Sequence, residues 1–223
     1  MTRPRRQTED AVLWAAVADM MSLVSAVFLI AFLAAVLSYR SAETARAAEA
    51  DKRRAVEGKY TDMVQGARER RKLAEKALTV DATSDFGVLP DGTLQLPEQL
   101  LFGAGSDGLS SAGSDLVSVW LARRIAAVVA IPGQRVLIAG HTDRTPIAPS
   151  LQLRFATNWE LSAHRATNVL RAVLGAQPSI PAGSVFAAGF GDTLPLISEN
   201  PYDPRNRRVE IHLASEEKAI VQE

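Results

Sequence analysis

Residues 11–38 read AVLWAAVADMMSLVSAVFLIAFLAAVLS, an apolar run that contains one ionisable side chain, the carboxyl group of Asp19. An α-helix needs about 20 predominantly apolar residues to cross a hydrocarbon core about 30 Å thick. The run exceeds that length, so it predicts a helix that spans a membrane. A secretory signal peptide has an apolar region of only about 7–15 residues and then a small-residue cleavage site. We therefore expect an uncleaved anchor.

Asp19 is the first candidate functional residue. A carboxyl group near the centre of a membrane helix costs about 2.5–3.5 kcal/mol on insertion scales, and such groups mark ion paths, proton relays or buried partners. On a helix it shares a face with small residues, including Ala15, Ala16, Ser22 and Ala26. Small residues let helices approach closely, so we expect Asp19 to face protein. Two roles stay open, ion carriage and pairing with a basic residue of a partner helix.

The basic residues beside the apolar run predict its orientation. Residues 1–10 contain three arginines, whereas Arg40 and Arg46 on the other side lie among glutamates. The positive-inside rule compares Lys and Arg on the two flanks and favours the more basic flank as cytoplasmic. Residues 1–10 are therefore predicted to be cytoplasmic, and the chain after residue 38 is predicted to lie outside the cytoplasm.

Composition narrows the function classes. The chain has 25 acidic and 25 basic residues and no cysteine. This balance gives no overall attraction for nucleic acid, so we expect no nucleic-acid partner. The absence of cysteine excludes a disulfide framework and any thiolate metal site.

Residues 39–79 predict a helical linker. They are rich in Ala, Arg, Glu and Lys and contain no proline, a composition that favours a helix continuing out of the membrane. A heptad-like stripe is present, but it is rich in alanine and poor in leucine. A weak dimeric coiled coil and a solvated single helix both remain open.

The chain from residue 80 to residue 215 predicts a folded domain, followed by a tail at residues 216–223. The segment FGVLPDGTLQLP carries a Pro-Asp-Gly turn and predicts a hairpin, and RVLIAGHTD, SVFAAGFGD and RRVEIHL predict three further strands. A Gly- and Ser-rich loop precedes a first helix, and Asn158 is predicted to cap a second helix that ends at Gly175. This order predicts an α+β fold with helices on one face of a small mixed sheet.

Three polar side chains predict a binding site at one end of that sheet. Asp143 follows a strand, and Asn158 and Arg165 lie at the start of the second helix. An acceptor, an amide and a guanidinium fork suit a zwitterionic ligand that carries a carboxylate and an amine. The sequence shows no nucleophile–base pair and no paired carboxylates, so we do not expect an enzyme or a cofactor.

The histidines predict no metal site. His141 and Asp143 lie two residues apart with no third ligand expected nearby, so His141 is interpreted as a structural residue. His164 and His212 are expected to lack partners.

The segments GHTDRTPI, TNWELSAHRATNVL, GFGDTLPL and NPYDPRNRRVEIHL, in this order and spacing, resemble the OmpA-like peptidoglycan-binding domain. The resemblance covers residues 80–215. It implies a β-α-β-α-β unit that holds the diaminopimelate part of the peptide stem. By the same resemblance Asp143 and Arg165 contact the ligand, and Asn158 and Leu161 line the groove.

Three further residues are candidates for the groove or for structure. Thr142 belongs to the same GHTD motif, and Arg207 and Arg208 belong to the family's NRR motif. The two arginines are weighed evenly between lining the groove and tying the last strand to its neighbour.

The segment WAAVADMMSLVSAVFLIAFL resembles the transmembrane helix of MotB-type stator subunits. Together the two resemblances imply the B subunit of a rotary ion-driven motor, with Asp19 as the carrier of H⁺ or Na⁺. They imply a dimer inside a ring of five multi-span A subunits of the MotA or ZorA type. They also imply a single-pass protein of the bacterial inner membrane with a periplasmic domain anchored to peptidoglycan.

The purpose of such a motor is a separate question. The pattern WxxxxDMMS at residues 14–22 also resembles ZorB, the stator-like subunit of the Zorya anti-phage defence system. Residues 39–79 show no clear amphipathic plug of the kind that closes unassembled flagellar stators. We favour the defence type. A flagellar MotB subunit and a passive tether between membrane and wall are the alternatives.

Overall fold

The computed structural model describes residues 5–79 and 86–215, with side chains from residue 10 onward. The predicted domain start at residue 80, the tail at residues 216–223 and the first four residues of the predicted cytoplasmic segment lie outside the described residues. The chain divides into two compact units, residues 1–63 and residues 64–223. Each unit is described by itself.

Helix α1, Arg5–Thr79, is continuous through the predicted membrane span and the predicted linker. Its residues are mostly good helix formers without proline, which explains its length. Of the described helices, α1 alone is long and apolar enough to cross a membrane. The large apolar side chains of residues 12–37 are exposed around the helix, including Trp14, Phe28 and Phe32. A helix that is apolar all round is typical of a membrane span.

The second unit contains a five-stranded mixed sheet. The strands are β1 (Gly87–Val88), β2 (Leu94–Pro97), β3 (Gln134–His141), β4 (Val185–Gly189) and β5 (Arg208–Ser215). Their order is β1-β2-β5-β3-β4, with β3 and β4 parallel and the other pairs antiparallel. The predicted hairpin is confirmed: Gly92 adopts φ 82° in its turn, and β1 pairs with β2.

Both predicted helices of this unit are present, together with short helical segments that the sequence did not predict. They are α2 (Glu98–Leu101), α3 (Ser111–Asp115), a π-helical segment (Leu116–Leu121), α4 (Ala122–Val129), α5 (Pro149–Gln152) and α6 (Asn158–Ala176), with a 3₁₀ turn at Pro204–Asn206. The predicted α+β architecture, with a long apolar N-terminal helix and helices packed on a small mixed sheet, is confirmed.

The core lies between one face of the sheet and the helices. Alternate residues of the strands point into it, because side chains of a strand alternate between the two faces. Ala74 and Leu78 from the last turns of α1 are fully buried in the same core, so this part of the linker helix belongs to the packed domain. The core residues from strands and helices are Leu94, Leu96, Val136, Ile138, Val209, Ile211, Ile125, Val128, Ala166, Val169 and Val173.

The start of α6 corrects one prediction. Thr157 is the N-cap, with an extended backbone and a side chain that accepts a hydrogen bond from the backbone N–H of Glu160 at 3.4 Å. Asn158 was predicted in that role but is the first helical residue. Its side chain is therefore available to bond elsewhere, and its Nδ2 donates to the backbone carbonyl of Asp143 at 3.3 Å.

Helix α6 packs directly on the end of β3. A Cβ atom on Gly140 would overlap the backbone of Ser162, so the absence of a side chain allows this close approach. The approach brings the first two turns of α6 beside the residues that follow β3.

Candidate ligand-binding groove

The seven residues predicted for the binding site line one groove. Its cavity volume is about 640 Å³. The loop after β3 contributes Thr142 and Asp143, helix α6 contributes three residues, and the start of β5 contributes two arginines. The predicted residues in the lining are Thr142, Asp143, Asn158, Leu161, Arg165, Arg207 and Arg208. The convergence predicted from the sequence is therefore present, whereas ligand contact by each residue stays a prediction.

Asp143 is buried at one end of the groove, with 3% of its surface exposed. Its Oδ1 accepts a hydrogen bond from the backbone N–H of Thr145 at 3.1 Å, and its Oδ2 accepts one from Nη1 of Arg207 at 2.5 Å. These two bonds hold the carboxylate in a fixed orientation.

Arg165 lies at the other end and is 5% exposed. Its Nη2 forms an ion pair with Oε1 of Glu98 at 2.5 Å and donates to the carbonyl of Ser106 at 2.8 Å. Its guanidinium carbon lies 5.3 Å from the ring centre of Phe102. Burial lowers the pKa of Arg165, and the charge of Glu98 offsets part of that effect. An arginine nevertheless remains charged in a protein at neutral pH.

Glu98 joins the two ends and was missed by the sequence analysis. Its Oε2 lies 2.7 Å from Nε of Arg207, so the charges alternate along Asp143, Arg207, Glu98 and Arg165. Burial lowers the pKa of Arg207, but the hydrogen bond and charge of Asp143 and the charge of Glu98 outweigh it and raise that pKa overall. The charges of these four residues cancel, so together they offer two anionic and two cationic groups in fixed positions.

Arg207 and Arg208, whose two possible roles were weighed evenly from the sequence, have different contacts in the structure. Arg207 points into the groove through its bonds to Asp143 and Glu98. Arg208 donates from Nε to Oε1 of Glu210 at 2.7 Å, from Nη1 to the carbonyl of Asn206 at 3.0 Å, and from Nη2 to the carbonyl of Leu194 at 3.1 Å. Arg208 therefore fixes the last strand and its loop, although it also reaches the groove lining.

Apart from Arg205, which pairs with Asp203, the remaining lining is apolar or uncharged. Leu161 is buried with Leu151 and Phe155 in a small cluster that forms one wall. The hydroxyl of Thr142 is buried and has no hydrogen-bond partner among the described residues. A buried polar group of this kind normally has a partner.

The expectation for two histidines was wrong. Nδ1 of His164 lies 2.9 Å from Oδ2 of Asp107, which also binds Arg154 in a bidentate pair at 2.7 and 2.9 Å. Nε2 of His212 lies 2.9 Å from Oε2 of Glu210. Asp107 lies far from His164 in the sequence, whereas Glu210 lies two residues from His212 on the same strand.

His141 is buried as a structural histidine would be, and its ring stacks on Phe190 at 5.3 Å. The expectation that no further ligand lies nearby was wrong. Its Nε2 is 3.4 Å from Oε2 of Glu210, the carboxylate that His212 also contacts.

The model of the OmpA family matches residues 101–208. Among solved structures, a MotB-like protein from Desulfovibrio vulgaris is 30% identical and aligns with a TM-score of 0.55, covering 70% of this chain and 95% of that one. Residues 101–208 thus belong to an OmpA-family domain, and the domain is of the MotB type. The predicted recognition of a MotB-type OmpA-like domain is confirmed.

Two curated relatives from Bacillus subtilis (strain 168) are also similar. Motility protein B is 37% identical over 94 residues, which are 41% of this chain and 34% of the relative. The uncharacterised protein YtxE is 31% identical over 120 residues, which are 53% of this chain and 46% of the relative. The matched regions thus cover about a third and just under half of the length of these relatives.

Proposed function

We propose that this chain is the wall-anchored B subunit of an ion-driven rotary membrane motor. In this proposal the groove binds the diaminopimelate-containing stem peptide of peptidoglycan, and Asp19 carries H⁺ or Na⁺. The main support is that one chain contains both the lone carboxyl group of Asp19, within an apolar stretch of membrane-spanning length, and a MotB-type OmpA-family domain.

The chemistry of the groove supports stem-peptide binding. A ligand end with one carboxylate and one ammonium group needs a cation and an anion at a fixed separation. Arg165 and Arg207 offer the cations, and Asp143 offers the anion. Thr142 adds a hydroxyl that has no hydrogen-bond partner within residues 10–79 and 86–215, and Leu161 offers an apolar wall for the methylene chain.

Binding requires an exchange of charge partners. The groove charges are already paired with one another, so a zwitterionic ligand replaces internal ion pairs by ligand ion pairs without adding net charge. Such an exchange avoids burying an unpaired charge, which is the costly outcome in a desolvated site. Shape and spacing then decide which zwitterion is accepted.

The position of Asp19 supports ion carriage. Neutralising a carboxylate removes the large desolvation cost of the charged form, and releasing the ion restores it. Each change alters the hydration of Asp19 and its contacts with a surrounding ring of A subunits. The ring in this proposal has five MotA- or ZorA-like subunits around two copies of this chain. The wall-bound domain keeps the B subunits stationary while the ring turns.

The proposal includes a location. The chain is a single-pass protein of the bacterial inner membrane, with its N-terminus in the cytoplasm and its groove in the periplasm. The arginines of residues 1–10 support that orientation.

Asp19→Asn tests the motor role. The variant should insert, assemble and bind isolated sacculi like the wild type, but the motor-dependent phenotype should be lost because the amide cannot take up the ion. Asp62→Asn, an exposed change on the same helix outside the apolar run, is the matched control. Full activity of the Asp19 variant would exclude the carrier role and leave the passive tether.

Asp143→Asn tests the wall-binding role. We expect loss of at least about tenfold in affinity for purified sacculi, because a charged hydrogen bond is worth about 1.5–3 kcal/mol. Asp115→Asn, on an exposed position of α3, is the control. Equal co-sedimentation of both variants with sacculi would remove Asp143 from the binding site.

The motor is proposed to belong to the Zorya type, with the flagellar type as the alternative. The WxxxxDMMS pattern at residues 14–22 supports the first and the similarity to Motility protein B supports the second. Deleting the gene should reduce phage resistance and leave swimming unchanged if the Zorya assignment holds. Loss of swimming would establish the flagellar role.

A further inference from the structure

A buried polar cluster lies on the sheet face that points away from the helices. Glu210 and His212 are two residues apart on β5, so their side chains share a face. The antiparallel register places His141 of β3 opposite Arg208 and Ala139 opposite Glu210. The same register therefore brings the side chains of His141, Glu210 and His212 together.

The spacing of the three side chains suits one metal ion. Oε2 of Glu210 lies 2.9 Å from Nε2 of His212 and 3.4 Å from Nε2 of His141. The three ligand atoms all lie within 4.8 Å of one another. Ligands held at 2.0–2.1 Å in a tetrahedral site are about 3.3 Å apart, so small side-chain adjustments would complete the site.

His141 is buried with poorly satisfied ring nitrogens. Its side chain is 2% exposed, its Nδ1 has no hydrogen-bond partner among the described residues, and its Nε2 has only the 3.4 Å contact with Oε2 of Glu210. Buried nitrogens without close partners are rare because the desolvation of a polar group is then uncompensated. A metal ion bound between Nε2 and Glu210 would replace that long contact by two ligand bonds.

The surrounding bonds orient two of the ligands. Oε1 of Glu210 accepts bonds from Nε2 of Gln95 at 2.8 Å and from Nε of Arg208 at 2.7 Å, which leaves Oε2 facing the histidines. Nδ1 of His212 lies 3.2 Å from Oγ1 of Thr93. Contacts of this kind fix the ligand atoms of metal sites.

A cation lies next to the three side chains, since Nε of Arg208 is 2.7 Å from Oε1 of Glu210. The charge of Arg208 opposes a second cation nearby. We therefore expect weaker binding than at a cysteine-based structural zinc site.

We propose that His141, Glu210 and His212 bind a divalent transition-metal ion of the Zn²⁺ class. Two imidazole nitrogens and one carboxylate oxygen are a donor set that Zn²⁺ accepts, with one position left for water. His212 is 33% exposed, so the site is open to solvent on that side. The site lies outside the lining of the groove and needs no ligand there.

The test uses the full-length, tag-free protein in detergent after treatment with EDTA. Titration calorimetry with Zn²⁺ should give one ion per chain, and Co²⁺ should give the intense d–d absorption of a four-coordinate site. The matched control is His164→Gln, since the chain has three histidines and His164 lies outside the cluster. It should bind Zn²⁺ like the wild type.

His212→Gln should lose at least about 100-fold in Zn²⁺ affinity. Even the loss of a residue that only hydrogen-bonds to a metal ligand lowers metal affinity about 10–100-fold. Thr93→Val should lose about 10-fold for that reason. Since His212 is partly exposed, its variant keeps the test valid if His141→Gln does not fold. Wild-type protein without stoichiometric Zn²⁺ binding, or His212→Gln with wild-type affinity, would overturn the proposal.

Discussion

Replacing Arg165 by methionine should damage both stability and wall binding. The change removes the charge but keeps an apolar side chain of similar length beside Phe102. It breaks the ion pair with Glu98 at 2.5 Å and both hydrogen bonds to the carbonyl of Ser106, at 2.8 and 3.3 Å. Glu98 keeps one cationic partner, Arg207 at 2.7 Å.

The expected magnitude follows from burial. Arg165 is 5% exposed, and removing one partner of a buried ion pair costs about 3–5 kcal/mol, because the other charge stays buried without compensation. Since Arg207 still neutralises part of the Glu98 charge, we expect the lower end, about 3 kcal/mol. The variant should also lose binding to sacculi, because a ligand carboxylate loses one of its two cations.

Urea denaturation followed by tryptophan fluorescence measures the first effect, and co-sedimentation with sacculi under folding conditions measures the second. The double variant with Glu98→Gln should be more stable than the sum of the single changes by about 1–2 kcal/mol, because contacting residues couple by about 0.5–3 kcal/mol. A loss below about 1 kcal/mol for the single change, or strict additivity of the two, would refute the coupled ion pair.

Three further predictions follow from the helix cap, the glycine contact and the acid dependence. Thr157→Ala should lower the free energy of unfolding by about 1 kcal/mol in urea denaturation through loss of the N-cap, and an unchanged free energy of unfolding would contradict that assignment. Gly140→Ala should lower Tm with a cost of at least about 1–3 kcal/mol, because the added Cβ meets the backbone of Ser162; an unchanged Tm would contradict the close approach. Burial raises the pKa of Glu210, but its histidine and arginine contacts lower it overall from the ordinary 4.5. The unfolded state therefore takes up more protons below about pH 4.5, and the free energy of unfolding should fall as the pH decreases from there. Glu210→Gln should flatten that fall.

Local patterns explain why much of the fold was predictable. The strands β3 and β5 have β-branched residues, and the alternation in RRVEIHL corresponds to the two faces of the sheet. The Pro-Asp-Gly turn fixed the hairpin, and the apolar run with its proline-free extension fixed α1. The N-cap was missed by one residue because Thr157 and Asn158 are both good capping residues, and only the backbone conformation distinguishes them.

The site was predictable only in part because its members differ in how they come together. Asp143, Asn158 and Arg165 lie within one strand–helix unit, so sequence order already placed them near one another. Glu98 reaches the groove through pairing of β2 with β5, where Pro97 lies opposite Arg208. No local pattern marks such a residue. The same reasoning applies to Glu210 and His141, which meet only through the register of β3 and β5.

The internal pairing of the groove has a consequence for selectivity. A ligand with only a carboxylate would have to displace Glu98 from Arg165. The carboxylate of Glu98 would then lie beside the carboxylate of the ligand. A ligand with only an amine would have to displace Arg207 from Asp143 and leave that guanidinium with one partner. Each exchange ends with a poorly compensated charge, which is costly at low exposure. A zwitterion of matching length makes both exchanges together, so the ion-paired groove should discriminate against singly charged ligands more strongly than a groove with free charges would.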